Sequence, residues 1–331
     1  MFVLKNKKNI FLKIADKLDQ IFNSKYKAVL KVDKSSIKIL IGQKNKDIYK
    51  INFADLIFVE DLIDKDGLVK DKELFKFFLK ESFKKANIKI KNILGITPEE
   101  ETFYKIFSLS SNFEKERNKE EKIYSLVTLD FEAVFDIKEF KPVFRYDSHY
   151  DYSLWAINKN YLESYYELLK SLGVSLEKFE PENKMIVGAL FRTFGTPDAV
   201  LIISVSAERT VLIVFGGRGI HISTYLPFGL NSFFKNEKHN EFIEELEKIV
   251  LFYNTKSYHE HGASPVVNRI FLIGDLPEIL DQRIGANLKI KIEKPSIPYF
   301  IKFENDKIKE IIDNYKSDFL PLIGGLIYNE L

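Results

Sequence analysis

The sequence predicts a mixed α/β protein of two lobes, and three observations predict it. Short β-branched and apolar runs of strand length alternate with longer amphipathic stretches, which argues against an all-β fold. One strand, polar turn, strand pattern occurs twice, as AVLKVDKSSIKILIG at 28–42 and AVLIISVSAERTVLIVFGG at 199–217, each time followed by a third strand and a helix. A chain of 331 residues, 45% hydrophobic and 30% charged, is long and apolar enough for two or three domains around at least one large core.

Residues 1–22 predict a basic amphipathic helix. Phe11, Ile14, Leu18, Ile21 and Phe22 recur at spacings of three and four, and lysines outnumber acids around them. Docking on the protein's own body, on a partner or on an anionic membrane surface are all open for it. Three strands follow, KAVLKV, IKILIG and IYKINF, joined by tight polar links. A helix is predicted over about 72–86, with Leu74, Phe77, Phe78 and Phe83 on its apolar side. NILGITP then gives a buried strand and a stop.

Residues 100 to about 157 read as strand pieces around the charged loop EKERNKEEK, a small α+β insertion. SLWAIN leads into the helix NKNYLESYYELLKSLG, with Gly173 just past its end, then the strand VSLEKFEP and a helix over about 182–191. From Thr196 come the strands AVLIISV, TVLIVFG and IHISTYLP, with GGRG at 216–219 as a hairpin turn. A long helix over about 240–257, the strand NRIFLIG, the helix PEILDQRI and a last helix KIKEIIDNYKSDF with an apolar tail complete the chain. The units expected are the helix 1–22, a first lobe at 23–195 with an insertion at about 93–180, and a second lobe at 196–331.

Composition removes several chemistries. There is no cysteine, hence no disulfide, thiol nucleophile or thiolate metal site. The histidines His149, His221, His239, His259 and His261 have no metal-ligand spacing. No GxxxxGK[ST], HExxH or GxSxG occurs. Fifty basic residues against 48 acidic ones give no basic groove for nucleic acid. No run predicts a secretory leader or a spanning helix, so the chain is expected to be soluble and intracellular.

The order of elements resembles the actin-like ATPase superfamily, and within it the PilM-like pilus-assembly proteins, with FtsA-like chains more distant. In that family two strand–turn–strand units wrap nucleotide phosphate. The first turn usually reads DIGSSSIK; here it is KVDKSSIK at 31–38, so Ser35, Ser36 and Lys38 keep the pattern while Lys31 replaces the aspartate and Asp33 the glycine. The second usually reads DIGAETTD; here SVSAERTV at 204–211 keeps Thr210, with Ser204 for the aspartate and Ser206 for the glycine. The adenosine-side glycine pair is reduced to Gly274, followed by Asp275. The subdomain that the family places between its glycine turn, here Gly229, and the long helix is reduced or missing, since only about ten residues separate them, whereas the first-lobe insertion is expected to be present.

The resemblance implies an actin-like, RNase H-like fold with degenerate nucleotide motifs. Hydrolysis of ATP needs Mg²⁺ on carboxylate oxygens, and both carboxylates are lost. The expectation is therefore no catalytic residue, no metal and no cofactor, with Lys38 and Arg209 as the cations that would neutralise phosphate in the alternative, ATP- and Mg²⁺-binding reading. The family implies a cytoplasmic scaffold of a type IV pilus or related secretion platform, at the inner face of the membrane through the cytosolic N-terminal segment of a membrane protein. Phe103, Tyr104, Phe107, Tyr124 and Phe144 are its candidate contacts, although strand alternation puts half or more of them in the core. A divergent ATPase, an FtsA-like membrane filament protein and self-association stay open.

Overall fold

A computed structural model describes residues 26–59, 62, 64, 68–110, 118, 121, 122, 125, 135–145, 149–194, 199–216, 219–261 and 266–328. The expected helix at 1–22 lies outside these residues, as does most of the stretch 111–134.

The first echo forms an antiparallel hairpin of β1 (Tyr26–Asp33) and β2 (Ser36–Asn45), with Asp33 opposite Ser36, and β3 (Ile48–Phe58) continues it. β1 is buried on both faces from Ala28 onward, which suits its apolar residues at the centre of a sheet and leaves Lys31 and Asp33 as charges inside it. After α1 (Lys72–Ala86) come β4 (Asn92–Thr97), a 3-10 turn at Glu99–Glu101, β5 (Thr102–Ser110), β6 (Phe135–Arg145) and β7 (His149–Asn158). Then follow α2 (Lys159–Ser171), β8 (Ser175–Pro181) and α3 (Glu182–Phe194). The second echo forms the hairpin β9 (Ala199–Val205) and β10 (Thr210–Gly216), extended by β11 (Gly219–Leu226), whose Gly219 pairs with Gly216 at the predicted hairpin. The chain continues through α4 (Leu230–Phe233), α5 (His239–His261), β12 (Arg269–Ile273), α6 (Glu278–Leu288), β13 (Lys291–Glu293), β14 (Ile301–Phe303), α7 (Asp306–Asn314) and α8 (Lys316–Ile327).

Among the described residues the strands form a six-stranded sheet β14-β3-β2-β1-β4-β8, a five-stranded sheet β11-β10-β9-β12-β13 and a three-stranded sheet β5-β7-β6. The three-stranded sheet draws on residues 102–158, while β4 and β8, inside the range expected for the insertion, pair with each other in the six-stranded sheet. β14 pairs in parallel with β3 and α8 packs on β1, β2 and β4, so the end of the chain returns to the first sheet.

The core is layered. One cluster lies between the two large sheets and joins Val29, Leu40 and Leu94 of the first to Ile202, Ile213 and Phe271 of the second through α3 and α8. Two further clusters cover the outer faces, with α1 and α2 on the first sheet and α5 and α6 on the second. Each fully buried Leu or Ile contributes roughly 1.5–3 kcal/mol. The closest approach is at α8, where a Cβ on Gly324 would run into the carbonyl of Met185 on α3.

Local signals account for the helix ends. Asp71 caps α1 by accepting from Leu74 N at 2.9 Å, and Asn158 caps α2 by accepting from Asn160 N at 3.0 Å. Gly173 follows α2 with φ +72°, as its position past the helix predicts. Two local expectations hold only in part, Phe78 and Phe83 of α1 packing on the core as expected. The buried face of α1 is Phe75, Leu79 and Ser82, at i, i+4 and i+7, while Leu74 and Phe77 are exposed. The last helix is not continuous: Tyr315 separates α7 from α8, and α8 includes the apolar tail with Pro321 inside it.

Candidate functional site

The turns of the two echoed hairpins face each other. The β1–β2 register sets Lys31 directly opposite Lys38, both buried. Two ammonium groups side by side repel, and burial removes the water that would screen them. Three carboxylates resolve this, one at the end of β1 itself and two from other parts of the fold. Lys31 Nζ donates to Glu182 Oε1 at the start of α3 and lies 3.6 Å from Asp33 Oδ1. Lys38 Nζ pairs with Asp33 Oδ2 and, at 2.8 Å, with Asp318 Oδ1 of α8.

Arg209, in the β9–β10 turn, completes the cluster. Its Nη2 donates to Asp33 Oδ1 at 2.9 Å and to Glu182 Oε2 at 2.6 Å, and its Nη1 pairs with Glu100 Oε2 of the 3-10 turn. The turn itself is held by Ser206, whose N and Oγ both donate to Arg209 O, at 2.9 and 3.1 Å. Leu230 N donates to Ser206 O at 2.9 Å, and Gly229 lies so close to Ser206 and Arg209 that a Cβ would not fit. Beside the cluster, Glu99 accepts from Ser223 of β11 and, at 3.4 Å, from Asn183 of α3.

The electrostatics follow from burial and neighbours. Burial lowers Lys31, partly offset by Glu182, and burial brings Lys38 down to about 8 against the pull of Asp318. Burial also takes Arg209 down to about 10 and Glu99 up to about 7. At Asp318 burial acts upward, but Lys38, Lys31 and Arg209 together outweigh it and hold the carboxyl below its usual range.

Ser35, half-buried, accepts from Val59 N at 2.7 Å, and Ser36 is buried at the hairpin end. Ser204 is buried within β9, opposite Val211, and Thr210 donates to Phe228 O at 3.0 Å. Gly274, at φ +99°, packs on Val205 O, with exposed Asp275 beside it. Neither Asp33 nor Ser206 has a positive φ, so the two turns form without the left-handed residues that the family's glycines permit.

A cleft of about 200 Å³ remains beside the cluster, lined by both turns. A second, of about 150 Å³, runs past Gly274, Asp275 and Tyr315, with Phe58 and Asp318 lining both. Each is below the roughly 300–1,000 Å³ of a typical ligand pocket. The charges do not fit Mg²⁺ with a triphosphate either. Asp33, Glu182 and Asp318 are already paired with ammonium or guanidinium groups, and Lys31, Lys38 and Arg209 are spent on them, while Lys34 and Glu208 of the two turns line the cleft outside the cluster. Among the described residues no group of three or more His, Asp or Glu is arranged to hold a metal ion.

Of the five candidate partner contacts, three have described side chains. Phe103 is buried, opposite Ala156. Tyr104 is half-buried and its hydroxyl donates to Ile220 O of β11 at 2.7 Å. Phe107 is half-buried, with Lys105 Nζ 5.3 Å above its ring. Phe144 stands opposite Asp151 in the β6–β7 register, and Tyr124 lies outside the described residues. Glu99, Glu100, Glu182 and Asp318 are absent from the sequence-derived candidates. Their signal was a charge where burial was expected: an acidic run directly after a buried strand, an acid right after Pro181, and the one charge in the apolar stretch 317–327.

This α/β architecture has counterparts among solved structures. No family model matches the chain, and no curated protein does. Among solved structures, a chain of a PilM-PilN type IV pilus biogenesis complex aligns with a TM-score of 0.72 at 13% identity, over 92% of this chain and 98% of that one. A Bacteroides thetaiotaomicron protein with an actin-like ATPase fold and unknown function aligns at 0.49, with 9% identity over 88% and 97% of the two chains. The cytoplasmic domain of EpsL from the Vibrio cholerae type II secretion system aligns at 0.46, with 8% identity over 85% and 90%. Among the described residues no helix is long and apolar enough to cross a membrane.

Proposed function

We propose that the protein is a non-catalytic scaffold of a type IV pilus or related assembly platform, and that it binds the cytosolic N-terminal segment of an inner-membrane partner. The observation that carries the non-catalytic half is the buried ion cluster, which spends on itself the charges that would hold Mg²⁺ and triphosphate. The partner half is supported by the fold likeness to a chain of a PilM-PilN complex over nearly the whole length of both chains.

In this reading residues 23–195, completed by β14 and α8 from the end of the chain, and residues 196 to about 293 are the two lobes, the second lacking most of its usual inserted subdomain, since α5 begins at His239, soon after Gly229. The three-stranded sheet is the first-lobe insertion, and the partner segment lies along it, near Phe107 and Phe144. The protein acts at the inner face of the cytoplasmic membrane through that partner, with residues 1–22 as a second contact.

The test is a fluorescence-anisotropy titration of the full chain with labelled N-terminal arm peptides of pilus-assembly membrane proteins encoded beside it. Saturable binding that weakens at least tenfold in Phe107→Ala is expected. Absence of binding by every such arm, with the chain folded by circular dichroism, would remove the partner reading.

A further inference from the structure

The ion cluster does more than fill space. Arg209 belongs to a turn of the five-stranded sheet, but its carboxylate partners all lie elsewhere: Asp33 at the end of β1, Glu100 in the 3-10 turn and Glu182 at the start of α3. The turn has little freedom of its own, because Ser206, Gly229 and Leu230 hold its backbone. Two further ties run in parallel, from Ser223 of β11 to Glu99 and from Tyr104 to Ile220 O. Residues 99–104 are thus stitched to the five-stranded sheet at three points, and Arg209 is the point at which the two hairpin turns meet.

We propose that Arg209 is the hub of a built-in latch, which holds the two hairpin turns together across the cleft with the protein's own charges and without a ligand. The charge count gives the latch its sense. Around the turns, Lys31, Lys38 and Arg209 offset Asp33, Glu100, Glu182 and Asp318. Without Arg209, four carboxylates share two ammonium groups, and their repulsion favours an open cleft in which water hydrates them. Lysine does not restore the arrangement, since a single ammonium on a flexible stem cannot span three carboxylates as a planar guanidinium does.

The sequence has no cysteine, so spin labels can be placed uniquely with Asp47→Cys, in the β2–β3 turn, and Ala286→Cys, on α6. The inter-label distance is then read by pulsed dipolar spectroscopy. The labelled chain is expected to give one narrow distance. Adding Arg209→Met is expected to shift the population to longer distances, with Arg209→Lys in between. If Arg209→Met does not fold, Glu100→Gln, which removes one of the three contacts and leaves equal numbers of both charges, is expected to broaden the distribution. A broad distribution in the parent, or a narrow, unchanged distance in both Arg209→Lys and Glu100→Gln, would overturn the latch.

Discussion

Lys31 and Lys38 stand directly opposite each other in an antiparallel pair, both buried, and share the carboxylate of Asp33 between them. Such a pair is unfavourable on its own, and its environment makes it tolerable: Glu182 takes one ammonium and Asp318 the other. The two acids come from α3 and α8, the helices packed between the large sheets, so the site and the central core depend on each other.

Breaking the Lys31–Glu182 pair from one side should therefore be costly. Lys31→Met is expected to destabilise the chain by about 3 kcal/mol in urea denaturation, because Glu182 keeps only Arg209 as a partner. Adding Glu182→Gln is expected to recover roughly 1–3 kcal/mol of that loss as the coupling energy of the pair. Strict additivity of the two substitutions would show that the pair does not act as a unit.

The buried carboxyl of Glu99 should make stability fall with rising pH. It faces Ser223 and Asn183, with Glu182 and Arg209 as the charged neighbours, and burial raises it to about 7 from an ordinary 4.5. The folded state thus holds a proton that the unfolded chain has released between those values. Its contribution is fully present below about 4.5 and is lost as pH rises through 7, a change of about 3 kcal/mol. Glu99→Gln should gain on the parent by that amount between pH 4.5 and 8 in denaturant titrations; a constant difference would count against the burial of the acid form.

The close packing of α8 on α3 gives a prediction of stability alone. Gly324→Ala improves helix propensity by about 1 kcal/mol but places a methyl group against the Met185 carbonyl, where overpacking costs up to about 3 kcal/mol. A net loss of about 2 kcal/mol is expected in thermal or urea denaturation. A gain would mean that the two helices are less closely packed.

Much of the fold was legible in local pattern, and the site was not. The strand–turn–strand echo became β1–β2 and β9–β10 because mostly apolar runs around a short polar turn have few other solutions. The edge strands β13 and β14, of three residues each, carry no periodic signal and owe their form to the neighbours they pair with. The face of α1 is legible only in part: Phe78 and Phe83 pack on the core, but tertiary packing buries Phe75 and Leu79 and leaves Leu74 and Phe77 exposed. The turns revealed which residues the family's pattern had lost, but not what replaced them. Lys31 and Glu182 are 151 positions apart, and no local rule joins them.

Titration of the intact chain with Mg·ATP in an isothermal calorimeter examines the filled cleft without any substitution. Flat heats at millimolar nucleotide, with and without magnesium, are expected, since Lys31, Lys38 and Arg209 already have their carboxylates. A saturable, one-site isotherm that vanishes when magnesium is withheld would mean that the ion cluster yields to nucleotide, and the scaffold proposal would fall.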